Sequence, residues 1–97
     1  MIVEHSGWST DRGWFNDKYE VDTSQNDYVI CWKNGTESRQ IYGFSIEERD
    51  WNWDGDVYEL FVAGFEGVYG GISWYTPEDL VRLIVDGEAT IEGIKKI

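Results

Sequence analysis

The chain has one cysteine, one histidine and one proline in 97 residues, and only eight Lys and Arg against nineteen Asp and Glu. Each shortage excludes something. A single thiol, Cys31, cannot form an internal disulfide framework. The fold must therefore be held by its core, as in a reducing compartment, and the expected location is cytoplasmic. One histidine, His5, leaves no Cys/His cluster for zinc and no Ser-His-Asp constellation, and no nucleophile-elbow spacing is present. No apolar run approaches the roughly 20 residues of a membrane-spanning helix. The opening Met1-Ile2-Val3-Glu4-His5 lacks the basic and apolar regions of a secretory leader, so none is expected. The scarcity of Lys and Arg opposes direct binding to nucleic acid or to an anionic membrane, both of which require clustered cations.

What is present is acid and aromatic. The formal charge is -11, and the aromatic fraction is 16%. From Asp50 to Val81 there is no Lys or Arg, while Asp50, Asp54, Asp56, Glu59, Glu66, Glu78 and Asp79 all fall inside that stretch, as do Trp51, Trp53 and Trp74. Unbalanced charge opposes compaction by self-repulsion, so a stretch of this kind points to a use for it.

Length and composition predict one domain over residues 1–97 with a single core. The elements read mostly as strands. Tyr28 to Lys33 is a β-rich run ending in Asn34-Gly35, a strong hairpin signal, and Arg39 to Glu47 is the expected return strand. Val57 to Phe65 is apolar on both faces and is expected at the centre of the sheet, and Ile72 to Tyr75 is a short further strand. Thr76 caps a helix that begins at Pro77 and stops at Gly87, with Leu80, Leu83 and Ile84 at helical spacing. Ala89 to Glu92 alternates as a closing strand. In residues 1–22, strands are expected at Ile2–Glu4 and Lys18–Asp22 around a loop rich in Gly and Trp. Cys31, Trp32 and Trp74 are expected in the core, and Trp8, Trp14 and Phe15 over a sheet edge or face. The predicted class is α+β: an antiparallel sheet of about four to six strands with one helix, about 77–86, packed on it.

The most specific local pattern is Asp50-Trp51-Asn52-Trp53-Asp54-Gly55-Asp56-Val57. It resembles the first half of an EF-hand calcium loop. That resemblance implies side-chain oxygens from Asp50, Asn52 and Asp54, a sharp turn at Gly55 and a backbone carbonyl from Asp56. The family's bidentate Glu at the twelfth position is Phe61 here, and no helices flank the segment. The competing reading is an Asp-Gly hairpin tip, where acids and Asn are favoured for turn reasons. Neither a metal nor a cofactor is expected. Gly67 to Gly71 is glycine-rich but is followed by no base that would hold phosphate. Carboxylate pairs occur, yet no cleft for two-acid chemistry can be inferred, so no enzyme is expected.

Glu78 and Asp79 serve the helix start, where acids complement the helix dipole. Setting them aside with Glu66, which is isolated near a turn, leaves a tighter cluster, diluted by one charge at Arg49: Glu47, Glu48, Asp50, Asp54, Asp56 and Glu59 as charge contacts, with Trp51 and Trp53 as anchors. Alternate carboxylates on one strand face lie about 6.6–6.8 Å apart. Duplex DNA carries a charge about every 1.7 Å of axis, a density that a small protein approaches only by clustering acids. The expected function is a small acidic inhibitor that blocks a basic nucleic-acid-binding site. Phage anti-defence proteins, anti-CRISPR and anti-restriction proteins among them, are similar in size and charge. The alternatives are an immunity protein against a nuclease toxin, or a Ca²⁺- or carbohydrate-binding module. The expected partner is a basic protein that binds or cuts nucleic acid.

Overall fold

The computed structural model describes residues 1–51 and 54–97, and the side chains of Glu48, Arg49, Asp50, Trp51 and Tyr58 lie outside the described set. The order of elements is β1 (Ile2–Ser9), β2 (Gly13–Glu20), β3 (Val29–Trp32), β4 (Glu37–Trp51), β5 (Val57–Glu66), β6 (Ile72–Tyr75), α1 (Pro77–Val85), β7 (Ala89–Ile91) and β8 (Lys95–Lys96). The architecture is α+β and dominated by strands. A three-stranded sheet has the order β1-β2-β8, and a five-stranded sheet has the order β6-β5-β4-β3-β7, with every pairing antiparallel.

One core joins the two sheets. Val3, Tyr19 and Val21 from the N-terminal hairpin meet Ile30, Ala63, Phe65, Ala89 and Ile91 from the larger sheet, with Leu80 and Val81 of α1 between them. The helix packs against β7, β1 and β6, so it sits at the seam between the sheets. Its ends are built as the sequence predicts. Asp79 N donates to Thr76 Oγ1 at 3.0 Å, and Thr76 N donates to Asp79 Oδ2 at 3.0 Å, closing the capping box. At the other end Glu88 N donates to the Leu83 carbonyl and Gly87 N to that of Ile84, a Schellman closure around Gly87 at φ 71°. Tyr28 lies in the core with its hydroxyl accepting from Asp22 N at 3.0 Å, and burial raises its pKa.

Several expectations are corrected. Residues 1–22 do not enclose a loop: β1 and β2 form a full hairpin in register from Ile2↔Glu20 to Ser9↔Gly13. Alternation barely marks it, because of the inward residues of β1 (Val3, His5, Gly7, Ser9) only Val3 is aliphatic. Cross-strand contacts replace the missing apolar stripe. The Phe15 ring covers Gly7, where a Cβ would come within 3.1 Å of it, and the Arg12 guanidinium lies 4.5 Å above the ring centroid. Arg12 also grips Asp17 with two 2.8 Å hydrogen bonds. Trp8 and Trp14 are opposed and exposed, Trp14 at 84%. They stand on the outward face of this hairpin and cover no edge. Cys31 is exposed, because Ile30 takes the inward position of β3. Trp32 is half-buried against the core, with its indole N–H held by Ser38 Oγ at 2.9 Å. The middle strand of the larger sheet is β4, with β5 one place to its side.

The larger sheet is uneven in length, and that shapes the molecule. β3 pairs with β4 only over Glu37–Arg39, and β6 pairs with β5 only over Ala63–Glu66. Beyond those limits, Ser45–Trp51 and Val57–Val62 pair with each other alone. The result is a two-stranded ribbon that leaves the body of the domain. From Val57 to Val62 it spans roughly 17 Å at the usual strand rise. The radius of gyration, 14.7 Å, exceeds the roughly 12.5 Å of a compact chain of this length, and the extents of 39 × 38 × 25 Å describe a flattened, open shape.

Candidate functional site

The ribbon carries the acidic cluster. Glu47 is half-buried on β4 opposite Leu60, Glu59 is exposed on β5, and the backbone register sets Glu48 opposite Glu59. Asp54 and Asp56 are exposed on either side of Gly55, whose φ of 83° makes the turn. The structure gathers Glu47, Asp54, Asp56 and Glu59 onto one arm. The side chains of Glu48, Asp50 and Trp51, and all of Asn52 and Trp53, lie outside the described residues; Asp50 and Asn52 of the calcium-like pattern and both members of the Trp51/Trp53 anchor pair therefore fall there. Among the described residues no group of three His, Cys, Asp or Glu could hold a metal ion.

Five of the described cations are engaged on other parts of the fold. Arg12 and Lys96 pair with Asp17, Lys18 with Glu4, Lys33 with Glu88 and Arg39 with Glu37. Five of the eight Lys and Arg are thereby neutralised on the N-terminal hairpin, at β8 and around the β3–β4 turn. Among the described residues, Asp17 is the most perturbed carboxylate. Hydrogen bonding to Arg12 is the main cause, with Lys96 adding to it, and its pKa falls to about 2. Asp22 is also lowered, by hydrogen bonds from the Ser24 hydroxyl and backbone. His5 lies opposite Asp17 with its ring 5.8 Å from that of Phe15, a packing position in the hairpin.

At the root of the ribbon the structure adds a feature that the linear pattern hid. Tyr42 and Trp74 flank Gly64 on the outward face of the sheet, since the register pairs Tyr42 with Gly64 and Gly64 with Trp74. Their rings stack at 5.6 Å and 13°, yet Tyr42 is 50% and Trp74 37% exposed. The expectation of a core Trp74 is therefore corrected. Its strand partner, Gly64, has no side chain to cover it, and the position faces away from the helix. The outward position of Tyr42 follows from bulges in β4. Register shifts at Gln40/Tyr42 and Tyr42/Ser45 move Tyr42 outward while Phe44 turns in to meet Phe61 at 5.5 Å between centroids. A strict two-residue period would have put Tyr42 and Phe44 on the same face.

Among the described residues, clefts lie away from the ribbon. One of about 330 Å³ is bordered by Gln25, Asp27, Val29, Glu92 and Gly93. Another, of about 190 Å³, lies between Trp32, Asn34, Tyr69 and Glu88. Among the described residues, no helix is long and apolar enough to cross a membrane. Comparison with known proteins finds no matching family model, no matching curated protein and no matching solved structure.

Proposed function

We propose that the protein is a small inhibitor that binds another protein and occupies a basic surface meant for nucleic acid, as phage anti-CRISPR and anti-restriction proteins do. The observation that carries this reading is the ribbon. An arm about 17 Å long along its paired residues bears Glu47, Asp54, Asp56 and Glu59, and its β5 side and tip belong to a stretch without Lys or Arg. A narrow two-stranded arm enters a groove that a globular surface cannot. Clustered acids on it attract a basic groove over distances longer than any contact and speed the encounter. Acids gathered on one arm repel one another, and a cationic partner relieves that repulsion. An immunity protein that neutralises a basic nuclease would present the same surface, and the identity of the partner separates the two.

The test is competition. The immobilised protein captures a partner from host lysate at low salt and releases it as ionic strength rises. The released partner is then titrated with labelled duplex DNA. The chain and the DNA should exclude each other, and Asp54→Lys/Asp56→Lys should lose exclusion by about tenfold or more while melting like the parent. A ternary complex containing both, or unchanged competition by the double variant, overturns the proposal.

A further inference from the structure

We infer that the Tyr42–Trp74 stack at the root of the ribbon is a docking platform for arginine side chains of the basic partner. The inference rests on the reading of the ribbon as the partner-binding arm, and adds to it which cation is recognised and where.

Position comes first. Along β5 the residues on the face of Gly64 run Leu60, Val62, Gly64 and Glu66, of which Val62 is buried, Leu60 half-buried and Glu66 exposed, and on β6 they are Ile72 and Trp74, as the pairings Glu66↔Ile72 and Gly64↔Trp74 require. On β4 the bulges bring Tyr42, Ser45 and Glu47 to the same side, opposite Gly64, Val62 and Leu60. The stack therefore lies in line with the ribbon, with Glu66 on one side of Gly64 and Glu47 on the other. Two residues of strand separate Glu66 from Gly64, about 6.7 Å. A cation seated on the rings thus has a carboxylate within side-chain reach.

Chemistry then selects arginine. The guanidinium is planar, weakly hydrated and stacks on aromatic faces while its N–H groups stay free for carboxylates. An ammonium is compact, strongly hydrated and gains less from a ring it cannot lie flat against. The stack is also preformed. A Cβ at Gly64 would lie 2.9 Å from Tyr42 Cδ2, 3.1 Å from Trp74 Cζ3 and 3.2 Å from Ile72 Cγ2, so only glycine lets the two rings close over that strand. Rings held in place before binding lose little freedom on binding. Charge on this face suits the occupant. The residues of β5 and β6 on it include no Lys or Arg, and Arg39, the nearer of the two arginines on β4, is paired with Glu37 at 3.6 Å.

Deca-arginine and deca-lysine peptides, equal in charge and length, test this by titration against the full chain at low ionic strength. Tyr42→Leu/Trp74→Leu keeps apolar bulk but removes both aromatic faces. The expected result is a loss of deca-arginine affinity of about threefold to tenfold, with deca-lysine affinity unchanged within about twofold. Tyr42→Phe/Trp74→Phe should retain the arginine preference. Should the double leucine variant fail to fold, Tyr42→Leu alone carries the same readout. Equal weakening toward both peptides, or no change toward either, overturns the inference. Asp54→Lys/Asp56→Lys should weaken both peptides together. Failure of that arm counts against the ribbon itself, whatever the platform does.

Discussion

Gly64→Ala is the sharpest stability test of the structure, because two effects oppose each other and the geometry decides the sign. Gly64 has an ordinary extended backbone, so alanine there would stabilise by about 0.4–1 kcal/mol through the unfolded chain, if space allowed. Space does not allow it. The new methyl would meet Tyr42 at 2.9 Å, inside any normal carbon contact, and Trp74 and Ile72 at 3.1 and 3.2 Å. Overpacking of this kind costs about 1–3 kcal/mol. The net expectation is a destabilisation of about 1–2 kcal/mol, a fall in melting temperature of roughly 5–15 °C for a domain of this size. The same substitution in a Tyr42→Ala background meets only the two milder contacts, so its effect should shrink to near zero. The double-mutant coupling is then about 1–2 kcal/mol. Urea denaturation followed by far-ultraviolet circular dichroism measures all four proteins, with the slope of the transition checking that each unfolds in two states. A stabilising Gly64→Ala, or strict additivity with Tyr42→Ala, would refute the placement of Tyr42 over Gly64.

Two further predictions concern the helix and the N-terminal hairpin. Thr76→Ala removes the hydroxyl that accepts from Asp79 N and should cost about 1 kcal/mol in urea denaturation, whereas Thr76→Ser should be nearly neutral; equal losses would mean that the cap is not what anchors the helix start. Asp17 has a folded pKa of about 2, below its ordinary 3.8. Its ionised form is thus favoured by folding, and the stability it contributes is present above about pH 4 and lost as the pH falls from 4 to 2. Asp17→Asn should flatten the parent's stability-against-pH curve within that window, and parallel curves would sink the assignment.

The legibility of this fold follows the range of the interactions involved. The Asn34-Gly35 turn is local: Thr36 N and Oγ1 both donate to Asn34 Oδ1, and Gly35 takes a φ of 92° that few other residues adopt. The cap at Thr76 is closed by a residue three positions on. Such features are written within a few neighbouring residues and read off directly. The N-terminal hairpin is different. Phe15 over Gly7, and Arg12 between Phe15 and Asp17, become visible only once the strands are paired, and the Lys95–Lys96 strand has no pattern of its own to show. Cys31 and Trp74 were misplaced for a related reason. Both sit among strand-forming residues, but which face of a strand is covered depends on where the helix lies.

The amino-acid sequence by itself determined the α+β class, the helix and its two ends, the turns at Gly35 and Gly55, and an acidic stretch without a base from Asp50 to Val81. Only the tertiary structure decided that Asp50, Asp54, Asp56 and Glu59 of that stretch stand on an arm, while Glu66, Glu78 and Asp79 stay on the body. The ribbon exists because β3 and β6 stop pairing short of it, and strand length relative to neighbours is a property of the assembled sheet. The aromatic platform likewise depends on bulges in β4, each of which moves every later side chain to the opposite face. Charge and turn chemistry are carried by single residues. The face a residue occupies is set by register, and register is settled only when the whole sheet forms.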